Sequence, residues 1–291
     1  MMKKFRLLSL VLALLMIITM FAGCGSKENT DGTADNSTNT QSTDSDNDNG
    51  ETVGYTETNI EVDTSNKSYI TSKDAFVNKM TELLDISLYA DLTESDNTSS
   101  KSYFYWLDYG NKKEYDLDYK IKLGDGTEFT MPITFSELEK KGWVLQESSD
   151  PDYEMEAGLM TFGIIENVAG KSLHVTAYNP TDKTIAFKEC TVIGVDAQQY
   201  SMFDPTEKLS DAIDFTVCGS LTNASALEDI INKLGNPSSI DCTLHFDDGK
   251  YTHSDINITY EQKSSAYSKL EFELSGDGNY ITTVNYDVAP E

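Results

Sequence analysis

Cys242, His245 and His253, with Asp247 and Asp248 among them, bring the donor types of a transition-metal site into one short stretch of chain. Alternation along a strand argues against a shared ion. If Cys242, Leu244 and Phe246 face inward, His245 points to the opposite side, so no metal site and no cofactor is expected here. Asp116 and Asp118 alternate with Tyr115, Leu117 and Tyr119. In a strand both carboxylates would lie on one face about 7 Å apart, inside the separation range of an inverting glycosidase. A solvated strand face has the same pattern, and nothing near these residues would keep one carboxyl protonated as acid catalysis requires. No catalytic residue is assigned.

Beyond Cys24, the chain carries Cys190, Cys218 and Cys242. The number is odd, so one pair could bridge in an oxidising compartment and leave one thiol, with the pairing open. A cysteine nucleophile needs an activating base, and no histidine neighbours these residues in a pattern that would lower a thiol pKa. Buried apolar cysteines are expected. The aromatic run 103–109 places rings on both faces of a strand, which fits either a strand covered on both sides or a platform open to a ligand. Tyr103, Tyr105, Trp106 and Tyr109 are the candidate ligand-binding residues, and stacking on cell-wall glycan is the chemistry they would supply.

The elements that must position these groups follow from periodicity and caps. Phe76, Met80, Leu83 and Leu84 fall at helical spacing over 73–88, after Ser72 as a cap. Strands are predicted at 103–109, 114–122 and 128–131, with Gly124-Asp125-Gly126 as a hairpin turn. Thr134 and Glu137 have the spacing of a capping box, and the short helix they open stops at Gly142. Strands return at 158–166, 172–178, 184–187 and 191–195, with a turn at 179–182. A second capping box is read at Ser225-Ala226-Leu227-Glu228, opening a helix whose buried stripe is Leu227, Ile230, Ile231 and Leu234, ended by Gly235 and Pro237. A four-stranded meander follows at 241–246, 255–260, 269–274 and 280–288. Within it, Leu270, Phe272 and Leu274 alternate with Glu271 and Glu273, so one face packs on the helix and the other meets water.

The chain begins with Lys3, Lys4 and Arg6, then an apolar run over 7–20 that is too short to span a bilayer, which takes about 20 apolar residues. The run closes on Phe21-Ala22-Gly23-Cys24, which resembles the bacterial lipobox, with Phe21 where Leu is usual. The resemblance implies that residues 1–23 are a signal peptide, that Cys24 receives a diacylglycerol thioether, and that the protein is anchored by lipid on the extracytoplasmic face of the cell membrane. Residues 25–66 are mostly Asn, Thr, Ser, Asp and Gly with almost no large apolar side chain and ten acidic residues against Lys27, a composition that cannot offset its ordering entropy. Residues 24–66 are therefore read as a lipidated, extended acidic tether. The run Asp44-Ser45-Asp46-Asn47-Asp48-Asn49-Gly50 suggests a calcium loop, but the sixth and twelfth positions hold Asn49 and Tyr55 rather than Gly and Glu.

Residues 67–291 hold 18 basic and 39 acidic residues, a net charge of −21. Such a surface repels phosphates, which excludes nucleic acid and anionic headgroups as partners and leaves cations and basic proteins. Residues 219–237, closing in Leu-Gly-Asn-Pro and followed by an antiparallel meander, resemble the repeat shared by the β-lactamase inhibitory protein and the SmpA/BamE-type assembly lipoproteins. Residues 133–145 are similar to the first repeat of surface lipoproteins of clostridia-like Gram-positive bacteria. These likenesses imply an α+β fold of two related units, 67–205 and 206–291. Each would be a short helix packed on an antiparallel meander sheet, with an additional N-terminal helix in the first, and Pro205 would mark the boundary. They also imply a non-enzymatic protein-interaction module. The alternatives are a cell-wall glycan or solute receptor using the aromatic residues near Trp106, and a hydrolase, which lacks a recognisable catalytic constellation.

Overall fold

The computed structural model describes residues 55–65, 68–201, 207–265 and 267–289. The expected export signal, Cys24, the Asp44–Gly50 run, most of the expected tether and Pro205 lie outside the described residues. In chain order, helix α1 (Lys73–Leu83) precedes strands β1 (Thr93–Asp96), β2 (Ser100–Trp106), β3 (Lys120–Leu123), β4 (Glu128–Thr130) and β5 (Ile133–Thr134). Helix α2 (Phe135–Lys140) leads to β6 (Trp143–Leu145), β7 (Glu154–Met155), β8 (Met160–Asn167), β9 (Ser172–Tyr178), β10 (Ile185–Ala186) and β11 (Thr191–Gln198). Next come β12 (Phe215–Val217), β13 (Leu221–Thr222) and helix α3 (Leu227–Leu234). The chain closes with β14 (Ser239–Asp247), β15 (Lys250–Glu261), β16 (Lys269–Ser275) and β17 (Ile281–Asp287).

The α+β expectation of two helix-on-meander units is overturned. The predicted meander exists as β14 to β17, but it is the middle of one antiparallel sheet of eleven strands in the order β1-β2-β14-β15-β16-β17-β11-β9-β8-β6, with β5 also paired to β11. Strands from the expected first unit close both of its sides: Tyr103 pairs with Cys242 and Val195 with Tyr286. A four-stranded sheet, β13-β12-β3-β4, mixes the two expected units again. The physical reason is that an isolated meander would leave the outer N–H and C=O groups of β14 and β17 unpaired, and neighbouring strands satisfy them. Three α-helices stand beside seventeen strands among the described residues, so the fold is mainly β.

Caps form largely where the residues call for them. Ser72 Oγ accepts from the Ala75 N–H at 3.2 Å, and Thr134 and Glu137 satisfy each other's orphan amides at 3.3 and 3.0 Å. At α3 the cap falls one residue later than expected. Asp229 accepts from the Ala226 N–H at 2.9 Å, while Ser225 Oγ turns back to accept from the Thr222 N–H at 2.9 Å. The predicted strand over 114–122 shortens to β3; residues 112–119 form no strand and end on Tyr119 at φ 47°.

One face of the large sheet is sealed. Phe76 and Met80, four apart on α1, are fully buried, with the Phe76 ring tilted 5.8 Å from Tyr105 and stacked 6.4 Å from Tyr103 of β2. Tyr115 meets Tyr260 edge-on at 5.1 Å and Tyr119 meets Tyr286 at 5.9 Å. Phe129 of the small sheet meets Trp143 at 5.9 Å. Between these layers Ile240, Ile256, Ile258, Leu270, Phe272, Leu274, Val284 and Tyr286 have no exposed surface. Residues 55–60, within the stretch read as tether, run beside the small sheet, where the Thr58 N–H donates to Gly124 O at 2.8 Å and the Ile60 N–H to Asp214. All of this belongs to one compact unit, Val53–Glu291. No helix among the described residues is long and apolar enough to cross a membrane.

Candidate functional site

The other face of the large sheet carries the polar residues, and strand register orders them into rows. One row runs Phe104, Asp241, Asn257, Glu273, Thr283, Gln198. The next runs Trp106, Ser239, Thr259, Glu271, Asn285, Asp196, His174. Because side chains alternate across a strand, every apolar residue sent into the core obliges its neighbour to join this face. The face is hollowed at its centre into a concavity of about 330 Å³ lined by Asp196, Asp241, Glu271 and Glu273 together with Asn257, Thr259, Thr283 and Asn285.

These carboxylates are half-buried, and among the described residues only Glu271 of the four is ion-paired to a lysine. Burial pushes the Asp241 carboxyl up to about 6, against the Asn257 amide that donates to it at 3.2 Å. Burial raises Glu273 to about 7, helped by the charge of Asp255 and opposed by the Thr283 hydroxyl. Asp196 is raised to about 6 by burial, with His174 opposing and Asp287 and Glu271 adding to the shift, and its Oδ1 is buried without a hydrogen-bond partner. Lys269 is committed at the rim, 2.5 Å from Glu271 and 3.8 Å from Asp287. Thr259 donates to Glu271 at 3.4 Å.

The four aromatic candidates are divided by strand parity. Tyr103 and Tyr105 point into the core at 9% and 6% exposure, so they offer no platform. Trp106 is 49% exposed on the polar face, its ring 6.4 Å from that of Phe104 and within 13° of parallel. Phe104, which the sequence reading left out of the candidate set, thus joins Trp106 at the end of the two acidic rows. Tyr109 lies past the strand in a short 3₁₀ turn, 82% exposed.

Asp116 and Asp118 are exposed in an irregular segment, while their neighbours Tyr115 and Leu117 are buried. Cys190, Cys218 and Cys242 are buried free thiols in three places. Cys218 Sγ lies 3.1 Å from the Tyr286 hydroxyl, and burial raises its thiol to about 11. Burial likewise raises Cys242 and Cys190. None is poised as a nucleophile. Cys242 faces inward and His245 outward, as parity requires, and His245 instead meets His253 and Asp255.

Sequence reading missed Asp196, Asp241, Glu273 and their amide neighbours as a group. The available signal was the polar alternation through the meander, which marks a face but not its curvature. Compared with family models, with curated proteins and with solved structures, the chain matches none.

Proposed function

We propose that this chain is a lipid-anchored extracytoplasmic protein that binds a partner non-catalytically on the open face of its large sheet, and that the partner presents a basic segment. The observation that carries this reading is the concavity in which Asp196, Asp241, Glu271 and Glu273 converge. Desolvated carboxylates with raised pKa values are stabilised by an incoming cation, and a Lys or Arg side chain seated there would gain charge-assisted hydrogen bonds that the free protein lacks. The overall charge of −27 would steer such a partner. Anchoring through Cys24 rests on the lipobox resemblance.

A second reading is favoured by Phe104 and Trp106 at the end of the acidic rows. Paired rings beside Asn, Asp and Thr side chains would suit a wall glycan, stacked on the rings and hydrogen-bonded along the row.

Titration of the full chain with an Arg/Lys-rich peptide and, separately, with soluble peptidoglycan fragments distinguishes the two. Under the first reading the peptide binds saturably and is weakened at least tenfold by the double substitution Asp241→Asn, Glu273→Gln and by raised salt. Peptide affinity indifferent to both changes rejects it. Saturable glycan binding that Trp106→Ala abolishes supports the second reading instead.

A further inference from the structure

We propose that His245, His253 and Asp255 form a binding site for a divalent transition-metal ion of the zinc or copper class at one end of the open sheet face. Two imidazoles and one carboxylate present ligand atoms that all lie within 4.8 Å of one another. Alternation from Cys242 puts His245 on the open face, where the β14/β15 ladder is irregular between Leu244 and Phe246. Across it, His253 and Asp255 stand two apart on one strand, so alternation brings both to the same face.

The rings of His245 and His253 are stacked with centroids 4.3 Å apart and 8° between their planes. The strands thus already bring two imidazoles, the commonest metal-ligating side chain, next to each other. His245 Nε2 already lies 2.7 Å from Asp255 Oδ2. Ligands on a tetrahedral ion with metal–ligand distances near 2.0 Å sit about 3.3 Å apart; because an imidazole nitrogen ligates in its own ring plane, one of the two stacked rings must also rotate about its side-chain torsions to aim both lone pairs at the ion. Thr252 Oγ1 lies 3.1 Å from His253 Nδ1, an outer contact of the kind that fixes the ring orientation of a ligating histidine.

The chemistry of the donors selects the ion. Two nitrogens and one oxygen suit zinc or copper, whereas calcium and magnesium take oxygen sets. All three residues are half-buried, which leaves an entry path and room for water at the remaining coordination position. The carboxylate-rich face around them raises the local cation concentration. This site shares no residue with the concavity lined by Asp241 and Glu273.

The test is calorimetric titration of the untagged full chain, carrying Cys24→Ser, with Zn²⁺ alone at pH 7.5. The expected result is one ion per chain, bound at least tenfold more weakly after His253→Gln or Asp255→Asn and unchanged after His174→Gln, the remaining histidine of the three in the chain. Zn²⁺ should also raise the thermal midpoint of the parent and not of His253→Gln, which separates lost binding from lost folding. No saturable one-site binding, or equal affinity in the parent and the His253→Gln and Asp255→Asn variants, overturns the proposal.

Discussion

The Asn257 side-chain amide donates to the Asp241 carboxylate at 3.2 Å across the β14/β15 pair, and Glu273 faces Asn257 from the other side on β16. One amide thus separates two carboxyls that are raised to about 6 and about 7, chiefly because the face they share is partly withdrawn from water.

Stability should therefore fall as pH rises. In these residues the folded pKa exceeds the unfolded one, near 4, so the protonated form is favoured by folding. Their contribution is fully present below about pH 4 and is lost as pH rises through 6 to 7. Urea midpoints measured from pH 5 to 8 should decline, and Asp241→Asn or Glu273→Gln should flatten the decline and stabilise the protein at pH 8 by about 1–3 kcal/mol. Parallel profiles for parent and variants would contradict this.

Of the two tryptophans, Trp106 is 49% exposed and Trp143 fully buried. Acrylamide should quench one component of the native emission strongly, and Trp106→Phe should remove that component while leaving the shielded one. Quenching that survives the substitution would place Trp106 elsewhere.

Gly276 lies against Ser254, where a Cβ would run into both the serine hydroxyl and its backbone carbonyl. The backbone on that side is part of β15 and cannot withdraw without disturbing the ladder. Gly276→Ala should cost about 2–3 kcal/mol in chemical denaturation, against well under half of that for Gly110→Ala, where a Cβ meets nothing within 4 Å.

Cys190, Cys218 and Cys242 should resist a disulfide reagent in the native state, because all three thiols are buried and burial disfavours their thiolates. In a chain carrying Cys24→Ser, three equivalents should react in denaturant and almost none without it. Fast native labelling of any of the three would be inconsistent with this packing.

Thr134→Ala removes one half of the capping box that opens α2, leaving the Glu137 N–H without its 3.3 Å acceptor. The expected loss is about 1 kcal/mol, and a midpoint unchanged from the parent would show that the cap contributes nothing.

Local features were legible in the residues themselves. The Thr134 and Glu137 spacing, the Leu270-Phe272-Leu274 alternation and the buried stripe of α3 each depend on neighbours a few positions away, and each forms as the chain reads, save that Leu234 at the end of the stripe is half-buried. The acidic charge and the inward turn of Cys242 against the outward turn of His245 were equally set by composition and alternation. What the tertiary structure decided is which strands meet. Backbone hydrogen bonding along a strand edge is nearly indifferent to side-chain identity, so nothing in 100–106 announces that this strand pairs with 239–245, or that 194–198 pairs with 283–287. The α+β expectation failed for that reason. The sites followed from the same pairing. Asp196, Asp241 and Glu273 come from three separate strands, and His245 meets His253 and Asp255 across the β14/β15 pair, so both groupings exist only once the register across the sheet has been set.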